Sequence, residues 1–148
     1  MKKDILRLRQ QVKKAKPLIH CITNPISIHD CANVILALGG KPIMAEHPKE
    51  AASITEQAEA LLLNLGNITD ARMESMKLSL LTAKSKNIPV MLDLVGTACS
   101  RLRLDFAIWN GRFWPLCAQS PLTSSRGFPT CRKGSKTGFT TRCARPEA

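Results

Sequence analysis

The sequence lacks several features that would assign it to a class of protein. None of its six cysteines forms a CxxC pair, and no HxxxH pair completes a set of four ligands, so a zinc site is not indicated. The longest apolar run, ALLLNLG at 60–66, is too short to span a bilayer. The first 16 residues carry no apolar run of about 7–15 residues behind their charges, unlike a signal peptide. We therefore expect a soluble, cytoplasmic protein with reduced thiols and no membrane partner.

Acidic residues are scarce, with 11 Asp and Glu against 22 Lys and Arg, and the formal net charge is +11. Such a basic chain raises the hypothesis of nucleic-acid binding. More than half of the excess charge lies in residues 108–148, which hold 7 basic and 1 acidic side chains. That segment has no DNA- or RNA-binding signature, so we expect no specific nucleic-acid partner. A basic nucleic-acid-binding tail stays open as an alternative function.

Short, continuously apolar segments alternate with segments of helical periodicity over the first two thirds of the chain. Short connections and strands without polar alternation are typical of a parallel sheet covered by helices on both faces. The sequence therefore predicts an α/β fold of three layers with a mostly parallel sheet. The predicted helices are 4–16, 27–38, 48–57 and 70–86, and the predicted strands are 18–22, 42–45, 60–66 and 88–96.

Polar or flexible residues stand at the carboxyl ends of these strands, where ligands of such sheets bind. Asp93 has the chemistry to hold a metal or orient a hydroxyl group, or to cap a helix. Asn24 suits either a ligand or an Asx turn. Met44 suits either an apolar pocket or ordinary core packing. The full set expected along one edge is Thr23, Asn24, Met44, Gly66 and Asp93.

The pattern ends at Ala107. Residues 108–148 contain 17 Pro, Gly, Ser and Thr among 41 residues, and only 6 Leu, Ile, Val and Phe. This apolar share is below the roughly 20% under which charged segments are disordered. Trp109 and Trp114 have no periodic neighbour to pack against. We predict an ordered domain over 1–107 and an irregular, disordered basic tail over 108–148.

Three segments carry a resemblance to a known family. PLIHCITNPISIHDCANVILALGGKPIMA, ALLLNLGNIT and IPVMLDLVG, together covering much of residues 6–107, resemble the N-terminal half of the hydroxyethylthiazole kinases. That family belongs to the ribokinase-like superfamily. The resemblance implies a homotrimer that phosphorylates the hydroxyl group of 4-methyl-5-(2-hydroxyethyl)thiazole (the thiazole alcohol) with ATP and Mg²⁺, in thiamine salvage.

The resemblance also implies roles for three strand-end residues. Met44 matches a methionine that contacts the substrate, and Asn24 lies in the matching loop of the thiazole pocket, which adjacent subunits share. Asp93 matches an aspartate near Mg²⁺ and the phosphates. The family usually has proline after this aspartate, whereas this chain has Leu94.

Residues 108–148 do not continue the resemblance. The family has a GN…E motif that serves ATP and metal, then a glycine-rich turn at a helix N-terminus that stabilises the transferring phosphoryl group. Neither is found in this segment. We interpret the segment as the product of a shifted reading frame, with a genuine fusion as the alternative. The resemblance then implies a truncated kinase domain that is inactive alone. A non-catalytic binding or regulatory fragment is a further alternative.

Overall fold

A computed structural model describes residues 2–113 of this chain, with side-chain burial for residues 4–109. Strands and helices alternate as predicted, and no helix within these residues is long and apolar enough to cross a membrane. Residues 114–148 of the predicted basic tail lie outside the described range. The helices are α1 (Lys2–Ala15), α2 (Ile28–Leu38), α3 (Pro48–Gln57), α4 (Asp70–Ser85) and α5 (Arg101–Phe113), and the strands are β1 (Leu18–Ile22), β2 (Lys41–Ile43), β3 (Ala60–Asn64) and β4 (Val90–Asp93).

The four strands form one parallel sheet in the order β2-β1-β3-β4. This arrangement confirms the predicted α/β class. The register pairs His20 with Leu61 and Asn64 with Asp93, so the last residues of β3 and β4 are direct neighbours. The carboxyl ends of all four strands therefore meet at a single edge of the sheet.

The principal core lies between the sheet and helices α3 to α5. Alternate side chains of a strand point to opposite faces, and Leu61 and Leu63 of β3 are fully buried against Met76 of α4. Phe106 of α5 joins the same cluster. Helix α4 begins where the side chain of Thr69 accepts a hydrogen bond from the backbone N–H of Arg72, a conventional N-cap.

Helices α1 and α2 cover part of the opposite face. Gly39 ends α2 in the left-handed conformation, with φ of 97°, and its backbone N–H bonds back to the last turn. No residue of α2 is buried, although the helix is largely apolar. Met91 of β4 is 68% exposed on this face. One face of the sheet is thus packed, and the other is only partly covered.

Helix α5 corrects the prediction for the segment after Ala107. The helix was not predicted, and it continues to Phe113, so residues 108–113 are helical and not irregular. Trp109 does have a packing partner, because its ring centroid lies 6.0 Å from that of Phe106. Both residues belong to α5, and Trp109 packs against the same core cluster as Phe106, so the packed region extends past the predicted boundary. Trp114 lies outside the described residues.

The strand bounds also differ from the predicted ones. Strand β2 is Lys41–Ile43 and not 42–45, so Met44 is the first residue after the strand. Strand β3 ends at Asn64, which places Gly66 in the following turn. Strand β4 is Val90–Asp93, shorter than the predicted strand 88–96, and its flanking residues are loop.

Candidate functional site

Three side chains form a continuous hydrogen-bonded bridge along the carboxyl edge of the sheet. Nδ2 of Asn24 donates to Oδ1 of Asn64 at 3.1 Å, and Nδ2 of Asn64 donates to Oδ2 of Asp93 at 2.6 Å. The bridge spans β1, β3 and β4, which are separated by about 4.8 Å per strand. The structure thus brings the predicted residues Asn24 and Asp93 together through Asn64, a residue that the sequence reasoning missed.

Gly66 lies under this bridge and leaves it room. Its backbone N–H donates to Oδ1 of Asn64 at 2.7 Å. A Cβ atom at Gly66 would lie 2.8 Å from Oδ1 of Asn64 and 2.9 Å from Nδ2 of Asn24. Any larger residue would therefore displace the bridging amides, so the predicted edge residue Gly66 is needed for close approach.

Asn24 holds the turn between β1 and α2. Its Oδ1 accepts hydrogen bonds from the backbone N–H groups of Ile26 and Ser27, both at 3.0 Å, which is the geometry of an Asx turn. The hydroxyl oxygens of Thr23 and Ser27 lie 3.3 Å apart in the same turn. The side chain of Asn24 therefore shapes the loop, and its Oδ1 is already engaged.

Met44 is half-buried in the segment that follows β2, and its neighbour Ala45 is anchored by His20. Nε2 of His20 lies 2.7 Å from the carbonyl oxygen of Ala45, and Nδ1 lies 2.8 Å from Oγ1 of Thr55. A carbonyl only accepts hydrogen bonds, so Nε2 carries a proton. Burial lowers the pKa of His20, with the Ala45 hydrogen bond and the charge of Glu50 opposing. A neutral, buried imidazole thus fixes the backbone beside Met44.

Glu46 provides a second anchor for this segment. Its carboxylate accepts a hydrogen bond from Nε of Arg72 at 2.9 Å, and its backbone oxygen accepts one from the hydroxyl of Ser75 at 2.7 Å. Arg72 also donates to the carbonyl of Asn67. The side chain of Arg72 is only 6% exposed. The loops after β2 and β3 are therefore tied together through the first turns of α4.

Asp93 fits a magnesium ligand in part. Its carboxylate is exposed, and one oxygen is held by Asn64. No group of three or more His, Cys, Asp or Glu able to hold a metal occurs among the residues described. Mg²⁺ often takes only one or two carboxylates and completes its shell with water and substrate phosphates. A single aspartate at this edge has suitable donor chemistry for such an ion.

The side chain of Arg103 holds the loop after β4. Nη1 of Arg103 donates to the carbonyl oxygen of Val95 at 3.1 Å. Gly96 has φ of 74°, and a Cβ there would lie 2.2 Å from the same Nη1. This loop follows Asp93 directly.

Over residues 2–113 the sequence contains no GxxxxGK[ST] phosphate loop, so these residues provide no nucleotide-binding loop of that type.

Comparisons with known proteins match the region that builds this edge. The model of the hydroxyethylthiazole kinase family matches residues 9–109. Hydroxyethylthiazole kinase 1 of Clostridium botulinum (strain Loch Maree / Type A3) is 62% identical over 102 residues, which cover 69% of this chain and 38% of that protein. Hydroxyethylthiazole kinase of Finegoldia magna is 53% identical over 91 residues, which cover 62% of this chain and 34% of that protein.

A solved structure of a hydroxyethylthiazole kinase protein has a similar fold. The hydroxyethylthiazole kinase protein from Pyrococcus horikoshii OT3 has a TM-score of 0.72 and 29% sequence identity, covering 75% of this chain and 44% of that one. The chain thus spans about two fifths of the length of the curated relatives it matches.

Proposed function

Because the chain belongs to the hydroxyethylthiazole kinase family, we propose that residues 6–107 form the substrate-binding half of a kinase. The family is one of phosphotransferases. The proposed reaction of the whole enzyme is transfer of a phosphoryl group from ATP to the hydroxyl of the thiazole alcohol, as a step of thiamine salvage in the cytoplasm. The observation that carries the proposal is the bridge from Asn24 to Asp93, on a strand edge within the family match.

The substrate side of this edge is proposed to consist of Met44 and the Asn24 turn. Strands β2 and β1 are neighbours, so the segments that follow them are adjacent. Met44 supplies a flexible, half-buried thioether suited to an apolar heterocycle. Asn24 acts through the turn it holds, since its Oδ1 is engaged by backbone donors. The thiazole ring would lie here with its hydroxyethyl group directed along the edge.

The phosphate side is proposed to begin at Asp93, which would hold Mg²⁺ through its carboxylate. A bound Mg²⁺ would supply positive charge that offsets the negative charge developing during phosphoryl transfer. The contribution of this chain is to place the carboxylate at the end of β4, beside Asn64. The distance from the β2 loop to Asp93 covers three strand spacings, or about 14 Å. Substrate and cation would therefore occupy separate positions on one edge of the sheet.

We propose that the 148 residues alone do not catalyse the transfer. Phosphoryl transfer depends on groups that position and stabilise the transferring phosphate, and residues 108–148 do not carry the family's later motifs. The test is an assay of the purified chain, expressed in a host without its own thiazole kinase, with ATP, Mg²⁺ and the thiazole alcohol. We expect no phosphate ester. Turnover by the chain would overturn this proposal.

The origin of the segment after Ala107 is tested separately. We propose that a shift of the reading frame near Ala107 separates the kinase sequence from residues 108–148, because the family match ends at residue 109. Resequencing the source DNA across this point provides the test. A frame that continues into a GN…E segment would support the proposal, and an unchanged sequence would favour a genuine alternative C-terminus.

A homotrimer is proposed for the assembled enzyme. Helix α2 contains no buried residue, and its apolar side chains Val34 and Leu36 are 58% and 57% exposed. A helix with exposed apolar side chains is typical of a surface that another subunit covers. Sedimentation equilibrium should show a self-associating chain, and Val34→Lys should weaken the association. A monomer at all concentrations would contradict this assignment.

A further inference from the structure

We propose that Asn64 is a positioning residue, which fixes the carboxylate of Asp93 for a divalent cation and ties it to the Asn24 turn. The inference rests on the proposed role of Asp93 toward Mg²⁺. It concerns a residue inside the apolar segment ALLLNLG, where an amide is out of place unless it has a partner. The geometry gives it three partners: Gly66 in the turn after its own strand, Asn24 in the turn after β1, and Asp93 at the end of β4.

The orientation of the Asn64 amide follows from its partners. Oδ1 receives the backbone N–H of Gly66 at 2.7 Å and Nδ2 of Asn24 at 3.1 Å. A flipped amide would point its own N–H groups at the N–H of Gly66, which is a donor facing a donor. The backbone of the turn therefore decides which way the amide faces. Nδ2 is left pointing at Asp93.

This orientation has a direct consequence for Asp93. The hydrogen bond from Nδ2 to Oδ2 is 2.6 Å long, and hydrogen bonds to charged carboxylates are short and strong. It restrains an exposed side chain that would otherwise sample several rotamers. It also leaves Oδ1 for a cation, since no hydrogen bond or ion pair to Oδ1 occurs among the side chains that the structure describes. Partners of this kind around metal ligands typically contribute about 10–100-fold in metal affinity.

A purely structural role for Asn64 makes a different prediction. The contact from Gly66 N–H to Oδ1 of Asn64 is an Asx turn, which stabilises the end of β3. If that turn were the whole role, Asn64→Ser would be nearly neutral toward cations, because a serine hydroxyl also accepts from the N–H two residues on. Serine cannot reach Asp93, however. Asn64→Ser therefore separates turn formation from carboxylate positioning.

The experiment uses the full chain and Mn²⁺ alone as the probe, in place of Mg²⁺. Binding is followed by the loss of the electron paramagnetic resonance signal of free Mn²⁺. Asp93→Asn should remove the strongest binding site. Asn64→Ser and Asn64→Leu should weaken it by roughly tenfold. The matched control is Asn33→Ser, because Asn33 is an exposed amide on α2 whose Nδ2 hydrogen-bonds with His29, and it should bind Mn²⁺ like the parent chain.

Thermal unfolding without Mn²⁺ is recorded for each variant, so that loss of fold and loss of positioning are distinguished. An Asn64→Ser chain that keeps its midpoint and loses Mn²⁺ affinity supports the proposal. Unchanged Mn²⁺ affinity in both Asn64 variants, with affinity lost in Asp93→Asn, overturns it. So does a parent chain whose Mn²⁺ binding does not depend on Asp93. The substrate proposal is tested apart from this, by titration with the thiazole alcohol.

Discussion

Asn64 and Asp93 end neighbouring parallel strands in the same register, and the amide of Asn64 donates to the carboxylate of Asp93 over 2.6 Å. Neither residue reaches Met44, which lies beyond β2 at the other side of the sheet order. Asn24 lies between the two ends of the edge, because it follows β1, and it donates to Asn64. The candidate site is thus a line of residues along one edge of the sheet, with the apolar Met44 at one end and the carboxylate of Asp93 at the other.

Gly66→Ala should disrupt the hydrogen-bonded bridge between Asn24 and Asn64 and so destabilise the fold. The new methyl group would lie within 2.9 Å of both bridging amides, and overpacking of this kind costs about 1–3 kcal/mol. Urea unfolding measures the loss. In the double variant with Asn64→Ser, the cost of Gly66→Ala should shrink, since one of the clashing atoms is absent. Fully additive costs would show that the clash lies elsewhere.

The buried His20 should make stability depend on pH. Burial holds its folded-state pKa below the ordinary value of 6.5, so the unfolded chain binds the proton first as pH falls. The free energy of unfolding contributed by His20 is therefore present above about pH 6.5 and is lost below it, at up to about 1.4 kcal/mol per pH unit.

Urea unfolding at about pH 7.5 and about pH 5.5 checks this sign. Other groups also titrate in that window, so the comparison is with His20→Gln, which should show a shallower decline. His29→Gln, at an exposed position on α2, should decline as the parent chain does. Equal slopes for the parent chain and His20→Gln would remove His20 as the cause.

The ion pair between Arg72 and Glu46 should be strongly asymmetric under substitution. Glu46 is half-exposed while Arg72 is 6% exposed, so Glu46→Gln should cost no more than about 1 kcal/mol. Arg72→Met also removes the donor to the Asn67 carbonyl and should cost about 1–3 kcal/mol. Urea unfolding of the two variants compares them. Equal costs would mean that the charge pair alone carries the interaction.

The order of elements and the edge of the sheet were predictable because each rests on a local pattern. Apolar strands such as Leu18–Ile22 are recognisable from their own residues and those beside them. The role of Asn64 was not predictable, since its partners are 40 and 29 residues away. An amide inside ALLLNLG looks like an interruption of a strand until the register brings Asp93 beside it.

The end of the ordered region was placed too early for a similar reason. The composition of residues 108–148 is averaged over 41 positions, which hides the first few. Helix α5 continues to Phe113, and within it Trp109 packs on Phe106. That contact joins residues on both sides of Ala107 at helical spacing, so it follows once the helix is continued past Ala107. Met44 was predicted inside the strand 42–45 but follows it, because strand ends depend on pairing, which for β2 stops at Ile43.

The most direct test of the account is a calorimetric titration of the chain with the thiazole alcohol. Three proteins are compared: the parent chain, Met44→Lys, and the matched control Met91→Lys, whose methionine is 68% exposed on β4. We expect weak, saturable binding by the parent chain and Met91→Lys, and its loss in Met44→Lys. Absence of saturable binding, or equal binding by all three proteins, would contradict the claim that this edge holds the substrate.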